Sequence, residues 1–147
     1  MPQTRGKPLD YGILPDLLAY RLRRAKARFS QHFLKTVGQD GITLGQFDVL
    51  TLIARNPGLT QTVLARAIGI ERSTMVVVID RLEGRGLVCR HQRDKRSYAL
   101  RLTTEGEAVV ERATKRAREY EAALTVGLDA RERQQLTDLL ARLATEK

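Results

Sequence analysis

The chain holds one cysteine, Cys89, so it can close no disulfide within itself and cannot assemble a zinc site from several thiolates. Two histidines, His32 and His91, leave little for metal or acid–base chemistry. Neither pairs usefully with a carboxylate: His91 and Asp94 belong to a basic, exposed segment, not to a pocket that excludes water. No nucleophile–base set is visible, so no enzymatic reaction, cofactor or metal is expected. The longest run of large apolar residues, Met75 to Ile79, is far short of the roughly 20 that span a bilayer. The N-terminal segment lacks the apolar core of a secretory signal, so a cytoplasmic location without a membrane partner is expected. What the chain has in quantity is positive charge. Its 147 residues carry 26 Lys and Arg against 17 Asp and Glu, a net +9. The apolar (42%) and charged (29%) fractions are ordinary for one folded domain, so the charge points to an anionic partner, nucleic acid before an acidic membrane surface.

The charge is uneven. Residues 1–40 hold eight basic against three acidic residues, residues 41–102 ten against five, and residues 103–147 eight against nine. Between Arg81 and Arg101 seven basic residues face only Glu83 and Asp94. This is either a solvated basic surface or a patch that faces phosphates.

Three prolines and two glycines within residues 1–15 predict an extended arm. Leu18, Leu22, Ala25, Phe29 and Phe33 recur at steps of three or four and predict a helix over 16–36. Thr43 and Gln46 fit a capping box that opens a second helix through Phe47, Leu50 and Ile53. Asn56-Pro57-Gly58 stops it. Thr60 caps a short third helix, Gly69 turns the chain, and a fourth helix follows over about 71–85. Its Met75-Val76-Val77-Val78-Ile79 run could form a strand. The spacing of Met75, Val78, Ile79 and Leu82, with Gly86 placed as a C-cap, favours helix. Leu87 to His91 and Tyr98 to Leu102 read as strands with Gln92 to Ser97 as the hairpin tip. A long helix opens at Thr103 or Thr104 and ends at Gly127. Asp129 caps a last helix with Leu136, Leu139, Leu140 and Leu143 facing inward.

Helix, short turn, helix and a basic two-stranded hairpin make a winged helix-turn-helix, whose second helix suits the major groove. The fold class is therefore mainly α with a small β-hairpin wing, joined to a helical region. The run Leu64-Ala65, Ser73-Thr74, Asp80-Arg81-Leu82-Glu83, Gly86-Leu87-Val88, Asp94-Lys95-Arg96 and Leu102-Thr103-Thr104-Glu105-Gly106 resembles the MarR family of bacterial transcriptional regulators over about residues 14–146. The resemblance implies one MarR-type domain over 1–147, with dimerisation helices at about 16–36 and 104–146 and a winged helix-turn-helix at about 43–102. It also implies a homodimer on a palindromic operator in double-stranded DNA. The two leucine stripes agree, since they exceed what one small winged helix can cover.

The candidate DNA-binding residues are Gln61, Arg72, Ser73, Thr74, Val77, Arg93, Asp94, Lys95 and Arg96. Ser73 and Thr74 open the presumed recognition helix, where their hydroxyls contact DNA or cap the helix. Family members more often carry a polar pair at Val76-Val77, so Val77 either meets a thymine methyl or is inert. Gln61 and Arg72 suit phosphates. Arg93, Lys95 and Arg96 form the wing tip, and the family pattern implies that Arg96 inserts into the minor groove, oriented by a salt bridge from Asp94. Some relatives sense peroxide through a cysteine near the first helix; Cys89 lies elsewhere and reads as a structural thiol. Arg21, Arg24 and Arg28 share one side of the first helix. The stretch Leu17 to Ala25 is similar to relatives that control aromatic-acid breakdown, which implies a small-molecule effector, an aromatic acid or its CoA thioester, bound by these arginines. Their alternative is a solvated face or intersubunit salt bridges. The functional expectation is a repressor released by that effector; the alternative is a structural nucleoid or RNA-binding protein without one.

Overall fold

The computed structural model describes residues 8–145. Among them, α1 (Leu18–Thr36), α2 (Leu44–Arg55), α3 (Gln61–Ile68), α4 (Arg72–Gly84), β1 (Val88–Asp94), β2 (Ser97–Leu102), α5 (Thr104–Leu124) and α6 (Ala130–Ala144) follow in that order. The first helix starts two residues later than its apolar spacing predicts. A 3-10 turn over Leu14–Asp16 comes first, closed by the Leu17 N–H on the Leu14 carbonyl at 3.1 Å. Pro15 suits such a first turn because its φ is already fixed. The arm is therefore not extended throughout; its residues 1–7 lie outside the described residues.

The caps form where the sequence places them. Thr43 Oγ1 accepts from the Gln46 N–H at 3.2 Å, and Gln46 Oε1 accepts from the Thr43 N–H at 3.0 Å. Thr60 caps α3. Gly69, at φ +77°, ends that helix in the left-handed region, which lets the chain turn directly into α4. The β-branched stretch is helical because Met75, Ile79 and Leu82 then fall on one face and are fully buried.

The wing differs in extent. Strand β1 runs to Asp94 and pairs antiparallel with β2, Val88 opposite Leu102 and His91 opposite Ala99. Only Lys95 and Arg96 remain as the tip, and a register shift between Gln92 and Asp94 leaves Arg93 as the extra residue of a bulge. The stop at Pro57-Gly58 does more than end α2. Gly58 N–H donates to the Leu100 carbonyl at 2.9 Å and Leu100 N–H to the Leu59 carbonyl at 2.8 Å, so this connector pairs with β2.

The core joins Phe33 of α1, Leu50 and Ile53 of α2, Leu64 of α3, the buried face of α4, Leu100 of the wing and Val109 and Ala113 of α5. Tyr120 of α5 packs edge-on against Phe29 and Phe33, and its hydroxyl donates to the Phe29 carbonyl at 2.8 Å. Burial, reinforced by Glu121 and Asp48, pushes this phenol up to about 12. The helix ends at Leu124, three residues before Gly127. The α6 leucines do not face inward within the subunit: Leu136, Leu139, Leu140 and Leu143 are all exposed, Leu143 at 61%. At the other end of the chain Leu18 (58%) and Leu22 are exposed too, so the α1 stripe enters the core only at Phe29 and Phe33.

One contact fixes where the wing meets α5. Thr103 caps α5 by accepting from the Gly106 N–H at 3.0 Å, while its hydroxyl donates to the Gly86 carbonyl at 2.5 Å and its N–H to the Leu87 carbonyl at 3.1 Å. Gly106 is buried against that same Leu87 carbonyl, and a β-carbon there would overlap the oxygen. Gly106→Ala should therefore destabilise the fold by about 3 kcal/mol. A melting temperature lower by roughly 6–12 °C checks this; an unchanged melt would show that the junction yields.

Candidate nucleic-acid interface

The outward side of α4 carries Arg72, Ser73, Thr74 and Val77, all exposed. The helix has no side-chain N-cap, so the hydroxyls of Ser73 and Thr74 are not spent on capping and stand at its positive end. Gln61 occupies the first position of α3 and is half-buried. With its amide oxygen turned inward, it accepts from the Arg90 guanidinium at 2.7 Å.

Arg90 was not among the residues that sequence reasoning selected, yet it organises this face. From β1 its guanidinium reaches Asp80 Oδ1 at 2.5 Å and also pairs with Glu83, both on α4. Burial opposes the charge, but the bonds to Asp80 and Glu83 outweigh it and hold the guanidinium above the ordinary arginine range. Helix α3, helix α4 and the wing are thereby drawn together on one cation. The available signal was the pair Asp80 and Glu83, three residues apart on one helix, followed by Arg90 early in the first strand.

At the wing tip Arg93, Lys95 and Arg96 are exposed. Asp94 does not form the expected salt bridge with Arg96 among the described residues. Its carboxylate instead accepts from the Ser97 hydroxyl at 2.6 Å, the Arg96 backbone N–H at 2.8 Å and the Ser97 N–H at 2.9 Å. A two-residue tip leaves backbone donors without strand partners, and an aspartate before it satisfies them. The Ser97 hydroxyl first, then the Arg96 N–H, holds this carboxyl below the usual aspartate range. The turn therefore stays tied at neutral pH and loosens only as pH falls through that lowered value. Cys89 is half-buried in β1, with Sγ 3.3 Å from His91 Nε2.

A family profile described as "MarR family" matches residues 40–97. A protein of Thauera aromatica described as "Putative transcriptional regulatory protein for hcr operon" is 33% identical over 97% of this chain and 92% of its own length. The chain belongs to the MarR family of transcriptional regulators. Among solved structures, the transcriptional repressor CouR bound to a 23-mer DNA duplex is similar at 41% identity and TM-score 0.84, over 95% of this chain and all of that one. CouR bound to p-coumaroyl-CoA is similar at 40% identity and TM-score 0.87, over 95% and 99% of the two chains.

In this MarR-family chain, Arg21, Arg24 and Arg28 are exposed along α1, and Arg21 Nε donates to the Pro15 carbonyl at 2.7 Å. They line neither of the two clefts beside α1. One cleft of about 410 Å³ opens between α1, α2 and α4 and takes Lys26 and Ser30 from α1. Burial raises the carboxyl of Asp48 in it, and Lys26 counters. The other, a groove of about 540 Å³ between α1 and α5, is lined by His32, Lys35, Arg116 and Tyr120 among others. His32 stacks on Tyr120 at 5.6 Å between centroids. Arg28 precedes His32 by four residues and Lys35 by seven, so it stands on the flank that leads into this groove.

Replacing Arg90 by alanine would free the wing from α4 and leave Asp80 and Glu83 as like charges on adjacent turns. Arg90→Ala should lower stability by about 1–2 kcal/mol, seen as a melt reduced by a few degrees. Amide exchange should speed up most in β1 and β2. Uniform exchange rates across the wing in the variant would count against the clamp.

Proposed function

We propose that the protein is a homodimeric repressor whose two α4 helices and wings bind a palindromic DNA operator, and that an anionic aromatic acid or its CoA thioester releases it. It acts by binding alone and catalyses no reaction. The observation that carries this reading is the Arg90 clamp, because it holds an exposed helix face bearing Arg72, Ser73, Thr74 and Val77 beside an exposed cationic tip. One element reads a groove while the other meets the neighbouring backbone or minor groove. The exposed leucines of α6, with Leu18 and Leu22 of α1, supply the apolar surface that a second copy would bury. That CouR, a relative of 40–41% identity, is seen with both a DNA duplex and an acyl-CoA supports the pairing of operator and effector.

The α1–α5 groove suits the effector. His32 and Tyr120 offer a ring surface, Lys35 and Arg116 offer charge, and Arg28 and Arg24 extend that charge along α1 for phosphates beyond the groove. Release requires that the effector bind one spacing of the two DNA-binding lobes better than the other, since equal affinity for both shifts nothing. A thermal-shift screen with benzoate, p-coumarate and their CoA thioesters tests this, because a ligand of the native state raises the melt. A thioester should raise it, and Arg24→Ala with Arg28→Ala should reduce that rise while leaving operator affinity unchanged. A full thermal shift in the double variant would move the site away from α1.

The DNA arm has its own test. Arg96→Ala removes one contact per subunit, two per dimer. At about 1–3 kcal/mol per contact, operator binding should weaken by about one to four orders of magnitude, and the salt slope should become shallower by about two. Folding should be unchanged, because the tip is exposed. Titrations on a selected duplex and on random DNA separate this reading from a nucleoid or RNA-binding protein, for which both duplexes would bind alike.

A further inference from the structure

The recognition helix presents an apolar apex. At 3.6 residues per turn, Ser73, Val77, Asp80 and Gly84 lie opposite the buried face of Met75, Ile79 and Leu82. Gly84 has no side chain, and Asp80 is committed to Arg90. Ser73 and Val77 are thus the apex side chains left for reading bases. Val77 is 48% exposed, between the hydroxyls of Ser73 and Thr74 and the Asp80 carboxylate that Arg90 neutralises. On the flanks, Arg72 lies at the first helical position and Arg81 lines the cleft beside α1. The apex therefore offers no planar two-pronged donor set for guanine and no amide for adenine. The surrounding positive charge matches a polyanion, which selects DNA over an apolar protein partner for this face. In a major groove the one apolar feature on a base edge is the C5 methyl of thymine.

From this we infer that Val77 is a specificity-determining residue that reads a thymine methyl in each half-site. The inference rests on the DNA-binding reading above. Burying the valine against that methyl removes apolar surface of both from water, and cytosine or uracil at the same position offers nothing equivalent. Ser73, one turn earlier on the same line, contacts the adjoining base or phosphate.

The test begins with enrichment of a duplex from a random 25-base-pair library by the full-length protein. Each thymine of the selected duplex is then replaced, singly and in both half-sites, by deoxyuridine, which differs only by the methyl group. At one symmetry-related thymine pair the replacement should weaken binding about tenfold; elsewhere it should change little. Val77→Ala should lose that preference, binding the thymine and deoxyuridine duplexes equally, with an unchanged melt. Two results overturn the proposal while leaving the regulator reading intact: an enriched duplex without a methyl-sensitive thymine pair, or a Val77→Ala protein that keeps the full preference. Failure to enrich any sequence would instead overturn the regulator reading itself, and this proposal with it.

Discussion

The contact of Gly106 with the Leu87 carbonyl sets the geometry on which both halves of the molecule depend. Leu87 ends the turn after the recognition helix, and Gly106 lies in the first turn of the long helix α5. Because no side chain separates them, the capping threonine at 103 can bond backward to Gly86 and Leu87 and forward to Gly106. The start of the wing, its end and the start of α5 are thus one small knot. From it the wing extends in one direction and α5 in the other. The wing's inner residues, Val88 and Leu100, add their burial to the core shared with α2 and α4.

Net charge overstates what this protein can offer a polyanion. Arg85 spends its guanidinium on the carbonyls of Asp40 and Gly41 at 2.6 and 2.7 Å. Arg90 is occupied by Asp80 and Glu83, and Arg112 and Arg116 both turn to the Asp40 carboxylate. These arginines serve the fold. Of the cations left outward in the winged half, Arg72, Arg93, Lys95 and Arg96 stand at one helix end and on the hairpin, while Arg55, Arg66, Arg81 and Arg101 are spread over its other surfaces. Placement, more than the sum, makes the surface suited to DNA.

Local rules in the sequence were sufficient wherever a single element satisfied its own needs. Thr43 with Gln46, Thr60, Gly69 and Asp129 all mark boundaries that the structure keeps, because caps and left-handed turns depend on neighbours within four residues. The α4 helix was legible for the same reason: its buried face has a clear period. Legibility failed where an atom's partner is distant. Arg90 lies seven residues from Glu83 and ten from Asp80, and nothing in the strand pattern says that its side chain turns toward α4. The family resemblance implies a salt bridge from Asp94 to Arg96, but the unsatisfied backbone donors of the tip have the stronger claim on that carboxylate. The α6 leucines were read correctly as a stripe, but periodicity does not say whether the surface that covers them belongs to the same chain.

Asp40 shows how the turn between α1 and α2 is tied to the rest of the subunit. It sits in the turn between α1 and α2, so it is the covalent link between the helix that carries the exposed arginines and the lobe that carries the recognition helix. Its carboxylate fastens this turn to α5 through Arg112 at 2.9 Å and Arg116 at 3.4 Å, and its carbonyl fastens it to the end of α4 through Arg85. Arg116 also lines the α1–α5 groove. Arg116 is thus shared between this turn and the wall of the groove. The Asp40 side chain is only 16% exposed, so these pairs sit at the edge of the core. The position of the winged half against α5 is held first by the single core that Leu50 and Ile53 of α2, Met75 and Leu82 of α4 and Val109 and Ala113 of α5 share, and the arginine contacts at this turn add to it.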